Sequence, residues 1–221
     1  MKIIGHRGAK GLAPENTLPS FAKALECGVD AVELDVHQTS DGALVLMHDP
    51  VLATQDGKEF SVARHTYAQL LKLKPDLTTL DAVISTINRQ MPIVIEVKEG
   101  VPAEPVITCV RGFLAKGWQM QDFAFCSFEQ APLIDLRQAF PDAMLIPNES
   151  WSSLRACWRA RQLGGRYVSL KQKWLWRGFL RGMHRSGWKV LTYTVNDPAR
   201  AKKWQPYLHA LYTDRPDLIQ D

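Results

Sequence analysis

Short apolar runs and longer mixed segments alternate along this chain of 221 residues. The runs KIIG, DAVELDV, PIVIEV, FAFCSF, AMLIP, RYVSL, KVLTYTV and ALYTD have the character of strands, eight in all. Between them lie helix-like segments at 17–27, 79–90, 102–116, 130–140, 153–163, 174–186 and 198–206. Gly28, Gly117, Gly164 and Gly187 follow four of these, where a left-handed C-terminal cap suits glycine. Thr17 suits the N-cap of the first helix, with Pro19 in its opening turn. Strands that alternate with helices pair in parallel through right-handed crossovers. Eight of them predict an α/β fold, a closed (β/α)8 TIM barrel, in one domain over 1–221. The rival is an open doubly wound sheet, whose usual G-x-G-x-x-G after the first strand is missing from GHRGAKG.

One apolar run, ALVLMHD, breaks the alternation. It follows VELDVHQTSDG with no room for a helix, and Ser40-Asp41-Gly42 is a turn signal. The spacing predicts a β-hairpin extension after strand two, with arms 31–38 and 43–48. Strand two then carries Glu33 and Asp35 to the barrel mouth, and the returning arm brings His48 back beside them.

Composition narrows the class. A hydrophobic share of 46% and a charged share of 23% belong to an ordinary globular protein. No apolar run approaches the roughly 18 residues of a membrane span, and Met-Lys-Ile-Ile is too short for a signal peptide, so the cytoplasm is expected. Cys27, Cys109, Cys126 and Cys157 lie far apart without metal-ligand spacing and are expected to be buried small hydrophobes. The net charge of +4 is uneven: residues 1–150 carry −6 and residues 151–221 carry +10. That asymmetry permits an anionic partner without identifying one.

Barrel active sites form where strands end and βα loops begin. Polar residues gather there: His6 and Arg7 after strand one, Glu33 and Asp35 on strand two, His48 and Asp49 on the hairpin arm, and Glu96 and Lys98 on the third barrel strand. Ser127, Tyr193, Asn196, Thr213 and Asp214 occupy comparable positions later in the chain. Glu33 and Asp35 are two apart, so both face the same way. Three carboxylates converging with Glu96 would repel unless a cation compensates. Oxygen ligands alone favour Mg²⁺, Ca²⁺ or Mn²⁺ over zinc; the alternative is that Glu33 or Glu96 simply pairs with Lys98 or Arg7. His6 and His48 suit an acid/base pair because imidazole titrates near neutrality. His37, His65, His184 and His209 lack that setting and receive no role. Arg7 and Lys98 suit a phosphate.

These residues resemble the glycerophosphodiester phosphodiesterase family of the phospholipase C-like barrels. The matching blocks are GHRG, APENT, F..AL..G.D.VELDV..T.DG..V..HD, IEVK, SF, YTVN and TDRPD, in family order over nearly the whole chain. The resemblance implies metal-dependent hydrolysis of glycerophosphodiesters to glycerol 3-phosphate and an alcohol, through a cyclic phosphate formed by the glycerol 2-hydroxyl. It implies Glu33, Asp35 and Glu96 as ligands of a divalent metal, Mg²⁺ or Ca²⁺, and His6 and His48 as the acid/base pair. Arg7 and Lys98 are implied as phosphate contacts, Tyr193 as an aromatic wall, and Glu15, Asn16 and Asp49 as supporting residues. The sequence departs from the family at Ala53-Thr54-Gln55, where Arg-Thr-Thr is frequent, and at Tyr193, where Trp is usual. The segment 50–78 is short for an insertion expected to cover the alcohol side of the substrate.

Arg177, Arg181 and Arg185 with Trp174 are expected on one face of the 174–186 helix, opposite Leu175, Phe179 and Met183. Arg155 and Arg159 are expected to do the same on 153–163. A solvated outer barrel face is preferred for them over contact with anionic lipid. Competing functions are a lysophospholipase D, which needs an apolar groove near the mouth, and a non-catalytic barrel that binds phosphorylated ligands. A nucleic-acid partner rests only on the basic C-terminal region and is not expected.

Overall fold

The computed structural model describes residues 1–54 and 56–219. The strands are β1 (Lys2–Gly5), β2 (Ala31–Gln38), β3 (Leu44–Leu46), β4 (Val51–Ala53), β5 (Glu59–Ser61), β6 (Ile93–Val97), β7 (Phe123–Ser127), β8 (Met144–Glu149), β9 (Tyr167–Lys171), β10 (Lys189–Tyr193) and β11 (Ala210–Thr213). The helices are α1 (Leu18–Glu26), α2 (Tyr67–Leu73), α3 (Leu80–Ile87), α4 (Ala103–Leu114), α5 (Ala131–Ala139), α6 (Ser153–Gln162), α7 (Arg177–Arg185) and α8 (Pro198–Trp204). Strands β2, β6, β7, β8, β9, β10, β11 and β1 pair in that order, all in parallel, and β1 returns to β2. The barrel is closed, as the alternation of strands and helices predicts.

Strand parity explains how the barrel fills. On β2, β6 and β7 the outward residues Val32, Leu34, Ile93, Ile95, Phe123 and Phe125 pack against the surrounding helices in the main core. The inward positions of the same strands, Ala31, Val94, Ala124 and Cys126, join Ile4, Ile146, Leu191 and Tyr212 from the other strands in a separate cluster. Continuing inward positions towards the strand ends gives Glu33, Asp35 and Glu96. One side of each strand thus supplies stability, and the other passes from apolar filler to charge at the mouth. All three carboxylates are buried.

The hairpin is present: Val36 pairs with Leu46, His37 with Val45 and Gln38 with Leu44, antiparallel. Met47 N donates to the Asp35 carbonyl at 3.1 Å, which anchors the returning arm beside the acidic strand. Gly42 turns the corner at φ 88°, a backbone conformation costly for other residues. Beyond the arm, the 50–78 segment holds elements the pattern did not announce, the β4–β5 hairpin and α2. Thr66 and Gln69 start α2 with a reciprocal capping box. Leu52, Val62, Leu70 and Leu77 join Val45 and Met47 in a small satellite core. Gln55 of the divergent Ala53-Thr54-Gln55 lies outside the described residues.

Several expectations are corrected. Trp174 closes a 3-10 turn (Gln172–Trp174), and α7 begins only at Arg177. Arg159 is buried: it donates to the carbonyls of Asn148 at 2.8 Å and Ser127 at 3.1 Å and to Gln130 Oε1 at 2.9 Å. Its guanidinium ties α6 to the ends of β7 and β8 and does not face solvent. Thr17 sits at the N-cap of α1, but its hydroxyl donates back to the Pro14 carbonyl at 2.6 Å. Of the cysteines only Cys126 is fully buried; the other three are half-buried. Among the described residues, no helix is long and apolar enough to cross a membrane.

Candidate active site

A cavity of about 370 Å³ opens at the C-terminal ends of the barrel strands. Its walls bring together His6, Arg7, Glu33, Asp35, His48, Glu96 and Lys98, together with Tyr193. One oxygen from each of Glu33, Asp35 and Glu96 lies within 4.8 Å of the others. The barrel register produces this convergence, because Asp35 on β2 stands directly opposite Glu96 on β6.

Two cations brace the acids. Lys98 Nζ lies 2.8 Å from Asp35 Oδ1 and 2.7 Å from Glu96 Oε1. Burial would lower the Lys98 pKa, but these two carboxylates outweigh it and hold the ammonium charged. Arg7 Nη1 reaches both Glu15 oxygens at 2.9 Å, and its Nε faces Asp35 Oδ2 at 3.1 Å, off the hydrogen-bond axis. Burial pushes the Asp35 carboxyl up, yet Lys98 and Arg7 prevail and keep it below the usual range. Glu33 fares differently: burial, then Asp35 and Glu96, push it well above the ordinary value. Fully ionised, the three acids would exceed the two bases in charge, and the proton favoured on Glu33 offsets that excess.

Local backbone geometry aims these groups. Arg7 and Asn16 both adopt left-handed φ, 53° and 57°, uncommon for residues with a side chain. Arg7 N donates to Glu33 Oε2 at 2.9 Å, and Asn16 N donates to the Arg7 carbonyl at 3.1 Å. Asn16 also grips Asp35 twice, through Nδ2 to Oδ2 at 2.9 Å and through Oδ1 from the Asp35 backbone N at 3.2 Å. A Cβ on Gly8 would come within 2.4 Å of Ser20 Oγ and 2.7 Å of the Ser20 carbonyl carbon, so the loop closes only with glycine there. GHRG and PENT therefore form one hydrogen-bonded unit around the acids.

Both histidines are oriented through Nδ1. His6 Nδ1 lies 2.7 Å from Asp214 Oδ1, and Asn196 Nδ2 donates to the other Asp214 oxygen at 2.9 Å. Burial raises the Asp214 carboxyl, but the His6 and Asn196 bonds outweigh it and lower it. His48 Nδ1 lies 2.7 Å from Asp49 Oδ1. Burial and then Lys98 lower the His48 pKa, favouring the neutral ring. Among the described residues neither Nε2 has a hydrogen-bond partner, so each is available to a ligand.

The structure also gathers residues that strand-end reasoning left without a role. Asp214 and Asn196 position His6. Asn148 donates to Glu96 Oε2 at 2.8 Å. Phe128, Lys171, Gln172 and Lys173 line the side opposite the hairpin. The Tyr193 and Phe128 rings stand nearly perpendicular with centroids 6.1 Å apart, and the Tyr193 hydroxyl lies 3.0 Å from Ser150 Oγ; burial pushes the phenol up to about 12. Ser127 is buried and donates to the Val97 carbonyl at 2.7 Å, joining two strands and not facing the cavity. No described residue of 50–78 lines the cavity, so its open side is walled by the β7–β10 loops and not by the short insertion.

Comparisons with known proteins identify the family. The profile of the glycerophosphoryl diester phosphodiesterase family matches residues 6–218. YhdW of Bacillus subtilis, a provisional glycerophosphodiester phosphodiesterase, is 31% identical over 239 residues, covering 99% of this chain and 96% of its own. An Oleispira antarctica phosphodiesterase, solved with the product sn-glycerol-3-phosphate, superposes with a TM-score of 0.86 at 30% identity, covering 100% of this chain and 95% of its own. A glycerophosphodiester phosphodiesterase from Thermotoga maritima gives 0.78 at 25% identity, covering 99% and 96%. A closed barrel whose mouth holds the acidic cluster and the paired histidines, matched along almost its whole length, makes this chain a member of the glycerophosphoryl diester phosphodiesterase family of phosphoric diester hydrolases.

Proposed function

We propose that the chain hydrolyses small glycerophosphodiesters to sn-glycerol 3-phosphate and an alcohol, with His6 and His48 as the acid/base pair. The observation that carries this reading is the convergence of Glu33, Asp35 and Glu96 within 4.8 Å in one cavity with both histidines. The donor set fits a divalent cation: hard oxygen ligands, buried, with a surplus of negative charge when fully ionised. Glu33, Asp35 and Glu96 would hold Mg²⁺ or Ca²⁺, which when bound supplies neutralisation of phosphoryl charge and acidification of a nearby hydroxyl.

The remaining chemistry belongs to side chains. One histidine Nε2 takes the proton of the glycerol 2-hydroxyl as its oxygen bonds to phosphorus. The other gives a proton to the departing alcohol oxygen as that phosphorus–oxygen bond breaks. The cyclic phosphate is then opened by water with the roles exchanged, which restores both rings. Asp214 and Asp49 accept from the Nδ1 side of each ring, which turns each Nε2 to the reaction, bare on the histidine that accepts the proton and protonated on the one that donates. Arg7 and Lys98 hold the phosphate and, through their carboxylate partners, fix the acids. Tyr193 walls the alcohol side, and Glu15, Asn16 and Asp49 support Arg7, Asp35 and His48.

The test is release of glycerol 3-phosphate from glycerophosphocholine with Mg²⁺ or Ca²⁺, with and without EDTA. Release that EDTA stops is the expected result; no release with any headgroup or metal contradicts the reading. A second reading, lysophospholipase D-type cleavage, is favoured by one observation. Beside the mouth lies a cleft of about 150 Å³ lined by Trp151, Trp174, Leu175 and Phe179, and it shares Lys171 with the main cavity. Choline release from lysophosphatidylcholine, with lysophosphatidic acid as the other product, separates the two.

A further inference from the structure

One flank of the barrel mouth carries exposed apolar side chains to which glycerophosphodiester hydrolysis assigns no role. From Ser150 to Asn196 the chain contains ten Lys/Arg and no Asp/Glu, along with five of its seven tryptophans. Trp188 is buried, but Trp151, Leu154, Trp158, Trp174 and Trp176 are 52% to 82% exposed, the most exposed of the large apolar side chains. They lie after the C-terminal ends of β8 and β9, the end at which the cavity opens. Leu154 and Trp158, four apart, share a face of α6, and Trp151 stands just before that helix. The Trp151 and Trp174 rings are 6.2 Å apart, and Trp176 caps the start of α7.

Single exposed apolar residues are ordinary, whereas five on two adjoining loop-and-helix segments at one rim are a candidate for a binding surface. Its cations are interleaved with the rings. Lys173 Nζ sits 4.9 Å from the Trp151 ring and 4.8 Å from that of Trp174. Arg177 adjoins Trp176 in sequence, whereas Arg155 is already paired with Glu149, Nε to Oε2 at 2.9 Å. An indole carries an apolar ring and one N–H donor, which suits the headgroup level of a membrane. Lysine and arginine supply attraction to acidic headgroups.

We infer that this face docks on an anionic phospholipid bilayer and sets the barrel mouth against the headgroups. Charge complementarity selects the occupant: between Ser150 and Asn196 every charged side chain is a cation, and around Trp151, Trp174 and Trp176 these outnumber the acids, Glu99 and Glu129, that border Trp158. The inference stands whether or not the hydrolytic reading holds, because its readout is binding.

The experiment is co-sedimentation of the full chain with vesicles of phosphatidylcholine alone or with added phosphatidylglycerol, alongside tryptophan emission. The bound fraction should be at least about tenfold higher on the anionic vesicles, fall with added salt, and come with a blue shift in emission. The combined Trp151→Ser, Leu154→Ser, Trp158→Ser variant should melt at the same temperature and lose that binding. The proposal is overturned by absent binding, by equal binding to neutral vesicles, or by binding that survives the triple substitution. It is equally overturned if, without vesicles, sedimentation velocity shows a dimer that the substitution abolishes, which would assign the face to a second copy.

Discussion

His6 and Asp214 stand 208 positions apart in sequence and 2.7 Å apart in space. The strand-end position of His6 is legible in GHRG, but its orienting partner is not, because that contact exists only once the barrel closes β1 against β11. His6→Ala and His48→Ala should each lower kcat by about 10² to 10⁴ while the protein stays folded. Turnover near the native rate in either variant would remove that histidine from the mechanism. Asp214→Asn should lower kcat by less, leave KM nearly unchanged and alter the pH profile; an unaltered profile would reduce Asp214 to a structural residue. Asp214 also links stability to pH. Its carboxyl is lowered in the folded state by His6 and Asn196, so its contribution is complete above the unfolded value of about 3.9 and disappears as pH falls through the lower folded value. Denaturant midpoints of native protein and Asp214→Asn should therefore converge as the solution is taken below about pH 4. A gap that stays constant with pH would show that the carboxylate charge is not what matters.

At the scale of elements, period-two patterning made most of the site readable. Glu33 and Asp35 had to share a face, and Ser40-Asp41-Gly42 had to turn a hairpin that returns His48; both are found. The 50–78 segment was not readable because its strands are three residues long and α2 only seven. Such pieces are fixed by a shared satellite core, with little pattern of their own. Arg159 was misread because helical spacing places a residue on a face but does not show that carbonyls at two strand ends await it. Ile95 packs outward from β6 and is completely buried. Ile95→Ala should cost about 2–5 kcal/mol in chemical denaturation; less than 1 kcal/mol would contradict its place in the main core. Gly8→Ala should lower the melting temperature and the activity together, because its Cβ would meet Ser20 and its φ is +83°. A stable, active Gly8→Ala would show that the loop has room to shift.

For the whole molecule, the charge division along the chain maps onto the fold. The acidic half supplies β2 and β6 with the carboxylate cluster, and the basic half supplies the far wall of the mouth and its aromatic rim. The family assignment follows from blocks spread along nearly the full length, whereas side-chain pairing across the mouth needed the closed barrel. The claim on which the account turns is that Glu33, Asp35 and Glu96 form a metal centre. Calorimetric titration of Mg²⁺, Ca²⁺ and Mn²⁺ into EDTA-treated protein, native and Glu33→Ala, tests it most directly. The account predicts one ion bound per chain, with affinity weakened at least about tenfold by the substitution. No binding by the native protein, or equal affinity in the two, would contradict it.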